Sequence, residues 1–511
     1  MTDHNSWIYR ALFTIERAGN RLPHPTLLFV YLCAFVLLLS AFCAWLEVQA
    51  VHPVSGNTIE AANLISRDGL HQMLSKAVTN FTHFAPVGTV LVAIMGIGVA
   101  EHSGLMAAAL KASVLKAPRR LLSFMVVLVG VLSSLAADTG YVVLIPLAAI
   151  IFQAAGRHPV LGIAAAFAGV SGGFSANLLI GPIDALLAGI STEAAQMVAA
   201  DYEVNAAGNY YFIVGSTLLI GLMGTWVTEK IIAPRLENAE YSHDHVDSDW
   251  DHELSQEERK GLRAVGIFSL VFIGLLLWAI LPEDGILRDD QGGVLKSPFI
   301  KGIVVIIAIY GALAGYVFGR VSGSYGDAKD MITGMETSMG TMASYLVLMF
   351  FAAQFVNYFG WSQLGIIAAI SGAELLQALQ LNQSLLLVGF VLLAAMLNLL
   401  IGSASAKWAL IAPVFVPMFF LTGISPEAAQ VAYRIGDSST NIITPLMPYF
   451  GVVVAFVQKY DKDAGIGTII ATMLPYSVAF LVLWSLFLVV WIMAGVPLGP
   501  GVETFLPAAA N

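Results

Sequence analysis

This sequence predicts an all-α polytopic membrane protein of nine transmembrane helices plus two re-entrant helical hairpins, arranged as inverted repeats with broken helices. Three observations carry that expectation. Charged residues are 11% and hydrophobic residues 58% of the chain, against about 25% charged in an ordinary soluble protein. Many stretches of roughly eighteen or more residues lack Asp, Glu, Lys and Arg, which is long enough to cross a bilayer as helix. Two apolar stretches are also interrupted by small polar residues and helix breakers, and each is followed by a span broken in a similar way. Irregular, polar sequence at membrane depth is tolerated only where it is buried in protein or lines a cavity.

The same composition excludes other classes. The net charge of −10 arises largely from loops such as 237–258, and no basic face is available for nucleic acid. The lipid bilayer is the one extended partner implied. Cys33 and Cys43 stand ten residues apart in one apolar segment, about 15 Å along a helix, too far for a disulfide. The histidines (His24, His52, His71, His83, His102 and His158 among them) sit mostly at loops or span ends without His-Glu-x-x-His spacing, so no cofactor and no metal beyond sodium is expected. The absence of a Gly-x4-Gly-Lys-Ser/Thr pattern leaves ATP-driven transport by this chain unsupported.

Charge-free runs place the spans, and the Lys/Arg bias orients them. Arg10, Arg17 and Arg21 precede span one (22–46), which puts the N-terminus in the cytoplasm; the run is too long for a signal h-region. An outside loop (47–76) leads to span two (77–100). Lys111, Lys116, Arg119 and Arg120 return the chain inside. The stretch 121–156, interrupted at Ser133 to Asp138, starts and ends in basic loops and reads as a re-entrant hairpin. Span three begins at Pro159 and is broken between Ser171 and Asp184. Span four (205–228) ends at Lys230 and Arg235, and 232–262 is an acidic connector expected to be mobile. Spans five (264–282) and six (302–319) follow. Span seven starts near Thr337 and leaves 358–380 as an amphipathic piece outside. The second hairpin, 384–421, turns at Gly402 to Lys407. Span eight (427–457) is expected to break at 434–445, and span nine (466–495) puts the C-terminus outside.

Grouped by role, 1–21 is a cytoplasmic segment and 22–120 and 264–383 are scaffold. The repeats are 121–228 and 384–495, with 229–263 the connector and 496–511 the tail. The repeats match at Ser175-Ala-Asn177-Leu-Leu-Ile-Gly-Pro182 and Ser439-Thr-Asn441-Ile-Ile-Thr-Pro445. Ser134 and Ser405 pair by their spacing to Pro146 and Pro417. Five spans separate the hairpins. Five is odd, so the hairpins enter from opposite faces, the plan of secondary transporters whose sites lie near the midplane. Freed carbonyls and hydroxyls there can replace a cation's water shell, and half-helix N-termini attract an anion.

Several motifs resemble the p-aminobenzoyl-glutamate transporter (AbgT) family across essentially the full chain. They include Arg21-Leu-Pro-His-Pro, Asn80-Phe-Thr-His-Phe-Ala-Pro-Val-Gly, Gly156-Arg-His-Pro, Gly402-Ser-Ala-Ser-Ala, Ala432-Tyr-Arg-Ile-Gly-Asp437-Ser and Met473-Leu-Pro-Tyr-Ser, and they are most similar to those of efflux-type members. The resemblance implies a homodimer in the cytoplasmic (inner) membrane, with nine spans and two hairpins per protomer. It implies a cargo of p-aminobenzoyl-glutamate, p-aminobenzoate or sulfonamide antimetabolites, moved by antiport with a proton or sodium as coupling ion. Efflux is the favoured direction and import the alternative. By position it places substrate-binding roles on Asp184, Ser405, Trp408, Arg434, Asp437 and Pro445 and an ion-binding role on Asn398.

Residue chemistry gives each site a rival reading. The Arg434 fork suits a carboxylate or sulfonyl group, or it pairs with Asp437 one helical turn away. Asp437 would carry the coupling proton, ligate sodium or neutralise Arg434. Asp184 serves the site or caps a helix at the outer interface. Trp408 stacks on an aromatic ring or simply packs. Asn177, Asn398 and Asn441 would ligate an ion through side-chain oxygens, or cap broken helices, as Asp138 would. Lys407 alters charge at the hairpin tip or snorkels to water. A channel, and a membrane-embedded hydrolase using Ser405 or Ser403, are the rival classes.

Overall fold

The structure is a computed structural model describing residues 25–51, 57–115, 118, 121–136, 139–236, 254–289, 291–294, 297–380, 382–445, 447 and 449–506. The N-terminal arginines, His24, His52, Asp138 and most of the acidic connector lie outside these residues. The described chain is almost entirely helical. Its one paired sheet is a two-stranded antiparallel ribbon, β1 (Gln49–Val51) on β2 (Thr58–Glu60).

The first half runs α1 (Pro25–Trp45), α2 (Arg67–Thr82), α3 (Ala85–His102), α4 (Leu105–Leu115), α5 (Leu122–Leu132), α6 (Ile145–Ala154), α7 (Pro159–Phe167), α8 (Pro182–Ala195) and α9 (Tyr210–Val227). The second half runs α10 (Gln256–Ile280), α11 (Ile303–Ser322), α12 (Ala328–Thr341), α13 (Ala343–Trp361), α14 (Leu364–Ala378), α15 (Gln383–Asn398), α16 (Ala404–Leu421), α17 (Pro426–Asn441), α18 (Phe450–Gln458) and α19 (Ile466–Met493). Local chemistry sets the ends. For example, Ser255 Oγ accepts the Glu258 N–H at 3.0 Å while Glu258 returns a carboxylate oxygen to the Ser255 N–H at 2.8 Å, starting α10.

Among the described residues, eight helical stretches are long and apolar enough to cross a membrane, and these include the second arm of hairpin two, Ala404–Leu421. The two broken spans are not among the eight, because their breaks divide them into short pieces. Hairpin one is α5, a 3-10 turn (Ser133–Ala136), a π turn (Gly140–Leu144) and α6; hairpin two is α15 and α16. The first broken span is α7, a π turn (Ala168–Gly172), irregular chain and α8; the second is α17, irregular chain and α18.

Four expectations change. Span two is preceded by α2, and the chain breaks at His83–Phe84 ahead of Pro86, since proline starts a helix well but cannot continue one. Residues Leu364–Ala378 form an evenly apolar helix packed on α16, not an amphipathic surface piece. Span seven is divided at Met342 into α12 and α13. Span eight breaks later than expected, with only the last part of 434–445 in the break. Helix α17 continues to Asn441, because Ser439 and Thr440 hydroxyls bond back to the Ile435 and Gly436 carbonyls at 2.6 and 2.9 Å without interrupting the ladder. The break follows, and among the described residues it takes in Ile442 to Pro445, Met447 and Tyr449.

α17 is the axis of the molecule. Every residue from Pro426 to Asn441 is buried, although the helix carries Glu427, Gln430, Arg434, Asp437 and Asn441. Helix α15 packs along it, and α8, α16 and α19 also touch it. The approach of α15 is close enough that a Cβ on Gly436 would stand 2.3 Å from the Val391 carbonyl oxygen. A polar helix inside the membrane is tolerated when neighbouring helices supply its partners.

Candidate functional site

Each repeat joins the end of its hairpin's first arm to its broken span through one amide. In repeat one, Asn177 Nδ2 donates to Ser134 Oγ at 2.8 Å, and Asn177 Oδ1 accepts the Leu178 and Leu179 N–H groups at 2.8 and 3.1 Å. In repeat two, Asn398 Nδ2 donates to Asn441 Oδ1 at 2.8 Å, to Thr440 Oγ1 at 2.9 Å and to the Asp437 carbonyl at 2.7 Å. The partners stand 43 residues apart in both repeats. Asn398 is therefore the counterpart of Ser134, and the pairing of Ser134 with Ser405 is corrected. Proline spacing misled there because prolines are placed by local helix geometry and not by the repeat.

Two ion pairs lie between these joints. Lys407 Nζ sits 2.5 Å from Asp437 Oδ1 and also contacts Asn398 Oδ1, with both charged side chains 1% exposed. Tyr433 donates to the Ala404 carbonyl at 2.6 Å and lies 3.3 Å from the same Asp437 oxygen. Lys407 thus does not snorkel. It faces into protein from the second turn of α16, where only a carboxylate and amide oxygens can replace its water. Arg434 pairs with Asp184 instead of Asp437, since residues 434 and 437 diverge around α17 toward different repeats. Its Nη1 donates to the Ser175 carbonyl at 3.3 Å, while its Nε has no partner. Asp184 also accepts the Gly181 N–H at 2.6 Å, so it caps α8 and clamps the repeats together; it is buried and does not lie at the outer interface. Ser438 Oγ accepts the Ser175 N–H at 3.0 Å across the same seam.

In front of this seam lies a cavity of about 550 Å³. Hairpin one contributes Ser134, Leu135 and Tyr141, and hairpin two contributes Gly402 and Ala404. The broken spans contribute Phe174 and Ile183, then Asn441, Met447 and Tyr449. The far wall is scaffold, from Val90 to His102 on α3 and from Thr337 to Tyr345 along α12 and α13. Asn177 lines a small adjoining recess with Ser134, Asp184 and Arg434.

The sequence-picked residues thus divide into three groups. Asn177, Asn441, Asp184 and Arg434 line the cavity or its recess. Ser405 is half-buried in the first turn of α16, 3.2 Å from Ser403 by their hydroxyls, and Pro445 lies in the break before Met447. Asn398 and Asp437 are sealed behind the cavity by Lys407. Trp408 is 0% exposed, stacks on Tyr433 at 4.6 Å and donates to Ser191 Oγ at 3.0 Å, which is a packing position. Sequence reasoning missed Glu101, Tyr141 and Tyr449. Glu101 stands just past the expected end of span two (77–100), and a carboxylate closing an apolar run of this length was the available signal.

Mirrored interrupted hairpins and broken helices meeting at one buried polar seam define a transporter, not an enzyme. Comparison with known proteins agrees. Residues 10–506 match the "AbgT putative transporter family", and the chain belongs to that family. It is 38% identical over 489 residues to the p-aminobenzoyl-glutamate transport protein of Escherichia coli, covering 96% of each chain. It superposes on the YdaH transporter of Alcanivorax borkumensis with a TM-score of 0.90 at 52% identity, over 94% of this chain and all (100%) of that one. It superposes on MtrF of Neisseria gonorrhoeae, described within a class of antimetabolite efflux pumps, with a TM-score of 0.91 at 47% identity, over 97% of this chain and 100% of that one.

Proposed function

We propose that this protein is a secondary active transporter that exports p-aminobenzoyl-glutamate, p-aminobenzoate or related aromatic carboxylates and sulfonamide antimetabolites across the cytoplasmic membrane. It works by cation-coupled alternating access, as a homodimer with its N-terminus inside and C-terminus outside. One observation carries the reading: both hairpin tips and both helix breaks face a single cavity of about 550 Å³. Small-molecule sites commonly enclose roughly 300–1,000 Å³. The name of the Escherichia coli relative and the description of the gonococcal one supply the cargo class.

Within that reading, the first turn of α16 presents its N-terminus beside the cavity at Gly402 and Ala404, with Ser403 as cap, and favours a cargo carboxylate. The scaffold wall of α3, α12 and α13 stays fixed while the two repeats rock as a unit joined by the Arg434–Asp184 clamp. Asp437 Oδ1 and Asn398 Oδ1, which would suit sodium, are both held by the Lys407 ammonium. They do not fit a bare sodium ion beside it, and this supports the proton as coupling ion.

The test is flux of labelled p-aminobenzoyl-glutamate and p-aminobenzoate in proteoliposomes, with pH and sodium gradients imposed separately. The expected result is movement of intact substrate against its gradient, driven by pH and stopped by a protonophore. Downhill leakage alone supports a channel, hydrolysed product supports the hydrolase, and either overturns the proposal.

A further inference from the structure

The cavity holds two features that neither the family match nor the ion pairs explain. Tyr141 of hairpin one and Tyr449 of the second helix break lie ring on ring, with centroids 4.5 Å apart and planes within 9° of parallel. Both rings line the cavity, so the stack joins the two repeats at the cavity wall. Glu101 lines the same cavity from the scaffold helix α3. Among the described residues lining the cavity it is the only Asp, Glu, Lys or Arg. Along α3, His102 lies beside it on the cavity wall, and Val90, Ile94 and Ile97 make the rest of that wall apolar. Thr139 at the hairpin tip donates to Glu101 Oε1 at 3.0 Å, which orients the carboxylate.

We propose that this cavity is a 4-aminophenyl site: the Tyr141–Tyr449 stack holds the flat face of the cargo ring, and Glu101 accepts its amino N–H. The proposal rests on the transport reading above and names the part of the cargo that is recognised. Parallel or offset stacking suits a flat ring, and a pre-stacked pair offers a rigid face with little side-chain freedom left to lose. An aromatic amine is neutral at physiological pH and donates only through its N–H groups. A carboxylate is a strong acceptor for it. p-Aminobenzoates and sulfonamides differ at their acidic ends and share this amino-substituted ring, so one site would serve both. A stacked ring also bridges the two repeats, and Glu101 ties it to the scaffold, so cargo would contact both the rocking unit and the wall it rocks against. Trp408, sealed behind Tyr433, has no part in this contact.

The experiment is equilibrium binding to the purified full-length protein in detergent, with p-aminobenzoate, 4-hydroxybenzoate, benzoate and sulfanilamide as probes. Wild type is expected to prefer p-aminobenzoate to benzoate, with sulfanilamide bound as well. Glu101→Gln is expected to reduce that preference by about ten-fold or more, the effect of a lost charge-assisted hydrogen bond, while benzoate affinity stays the same. Tyr449→Leu is expected to weaken all four aromatic probes together, and Tyr449→Phe to restore them. Thr139→Val separates recognition from a simple latch: it removes the donor to Glu101 and is expected to leave the amino preference in place. If wild type binds none of the probes, the transport reading fails. If wild type binds p-aminobenzoate and Glu101→Gln keeps its preference, or Thr139→Val abolishes the preference to the same extent, the 4-aminophenyl site is overturned.

Discussion

The two repeats share a frame and differ in what it holds. One constant shift along the chain carries Ser134 and Asn177 onto Asn398 and Asn441, and the same shift carries Val143, Val170 and Gly173 onto Lys407, Arg434 and Asp437. Repeat one is thus an uncharged version of the joint, closed by a hydroxyl, an amide and glycines. Close packing does the work there: a Cβ on Gly130 would approach the Gly169 Cα to 2.9 Å. Repeat two places all three charges on equivalent positions. It keeps the Lys407–Asp437 pair to itself and sends Arg434 across to Asp184 of repeat one. The lesson is a division of labour. A repeated backbone supplies a break at the matching place in each copy, and side chains present in one copy supply the charge chemistry and the link between copies.

The most severe way to break this asymmetry is to remove one member of the sealed pair. Lys407→Met or Asp437→Leu alone should cost about 3–5 kcal/mol, because the remaining charge is buried without a partner. Thermal unfolding in detergent should show the loss, and the double variant should recover most of it while driven flux stays absent. A double variant that still transports uphill would remove the pair from coupling. Next, Arg434→Ala should destabilise by about 3 kcal/mol, at the lower end of the same range, since Asp184 keeps its bond from the Gly181 N–H. Flux should be lost, and adding Asp184→Asn should restore stability without flux.

Packing differences give smaller effects. Gly436→Ala should cost about 1–3 kcal/mol by overpacking α15 against α17; an unchanged unfolding midpoint would contradict the close approach of these helices. The smallest and most discriminating comparison is between the joints. Ser134→Ala should cost about 1 kcal/mol, the net value of an ordinary hydrogen bond. Asn398→Ala should cost several-fold more, because Lys407, Asp437, Thr440 and Asn441 all lose a partner together. Equal losses at the two positions would mean that the charged repeat is no more tightly built than the uncharged one.

Much of the architecture was legible before any coordinates. Charge-free runs located the spans because lipid forbids unpaired charge, and small polar residues, Gly, Asn and Pro inside such runs located both hairpin tips and the first break, and set the second break several residues too early. The order of Ser175-x-Asn177 and Ser439-x-Asn441 revealed the repeat. Partner choice was not legible. Arg434 and Asp437 are three residues apart and read as a pair, yet a helix turns them toward different neighbours. Lys407 read as a charge on its way to water, because nothing along the chain places Asp437, thirty residues later, beside it. Trp408 looked like a stacking surface, and its burial behind Tyr433 depends on how α16 rotates against α8 and α17.

By itself, then, the sequence determined the environment, the number and kind of interrupted elements and the class of chemistry that must sit inside them, because the cost of polar groups in lipid is paid locally, residue by residue. The tertiary structure alone decided which charges neutralise each other, which asparagines join and which side chains face the cavity. Those choices depend on the rotation and approach of helices far apart in the chain, and burial energy constrains the sum of such contacts without naming the pairs.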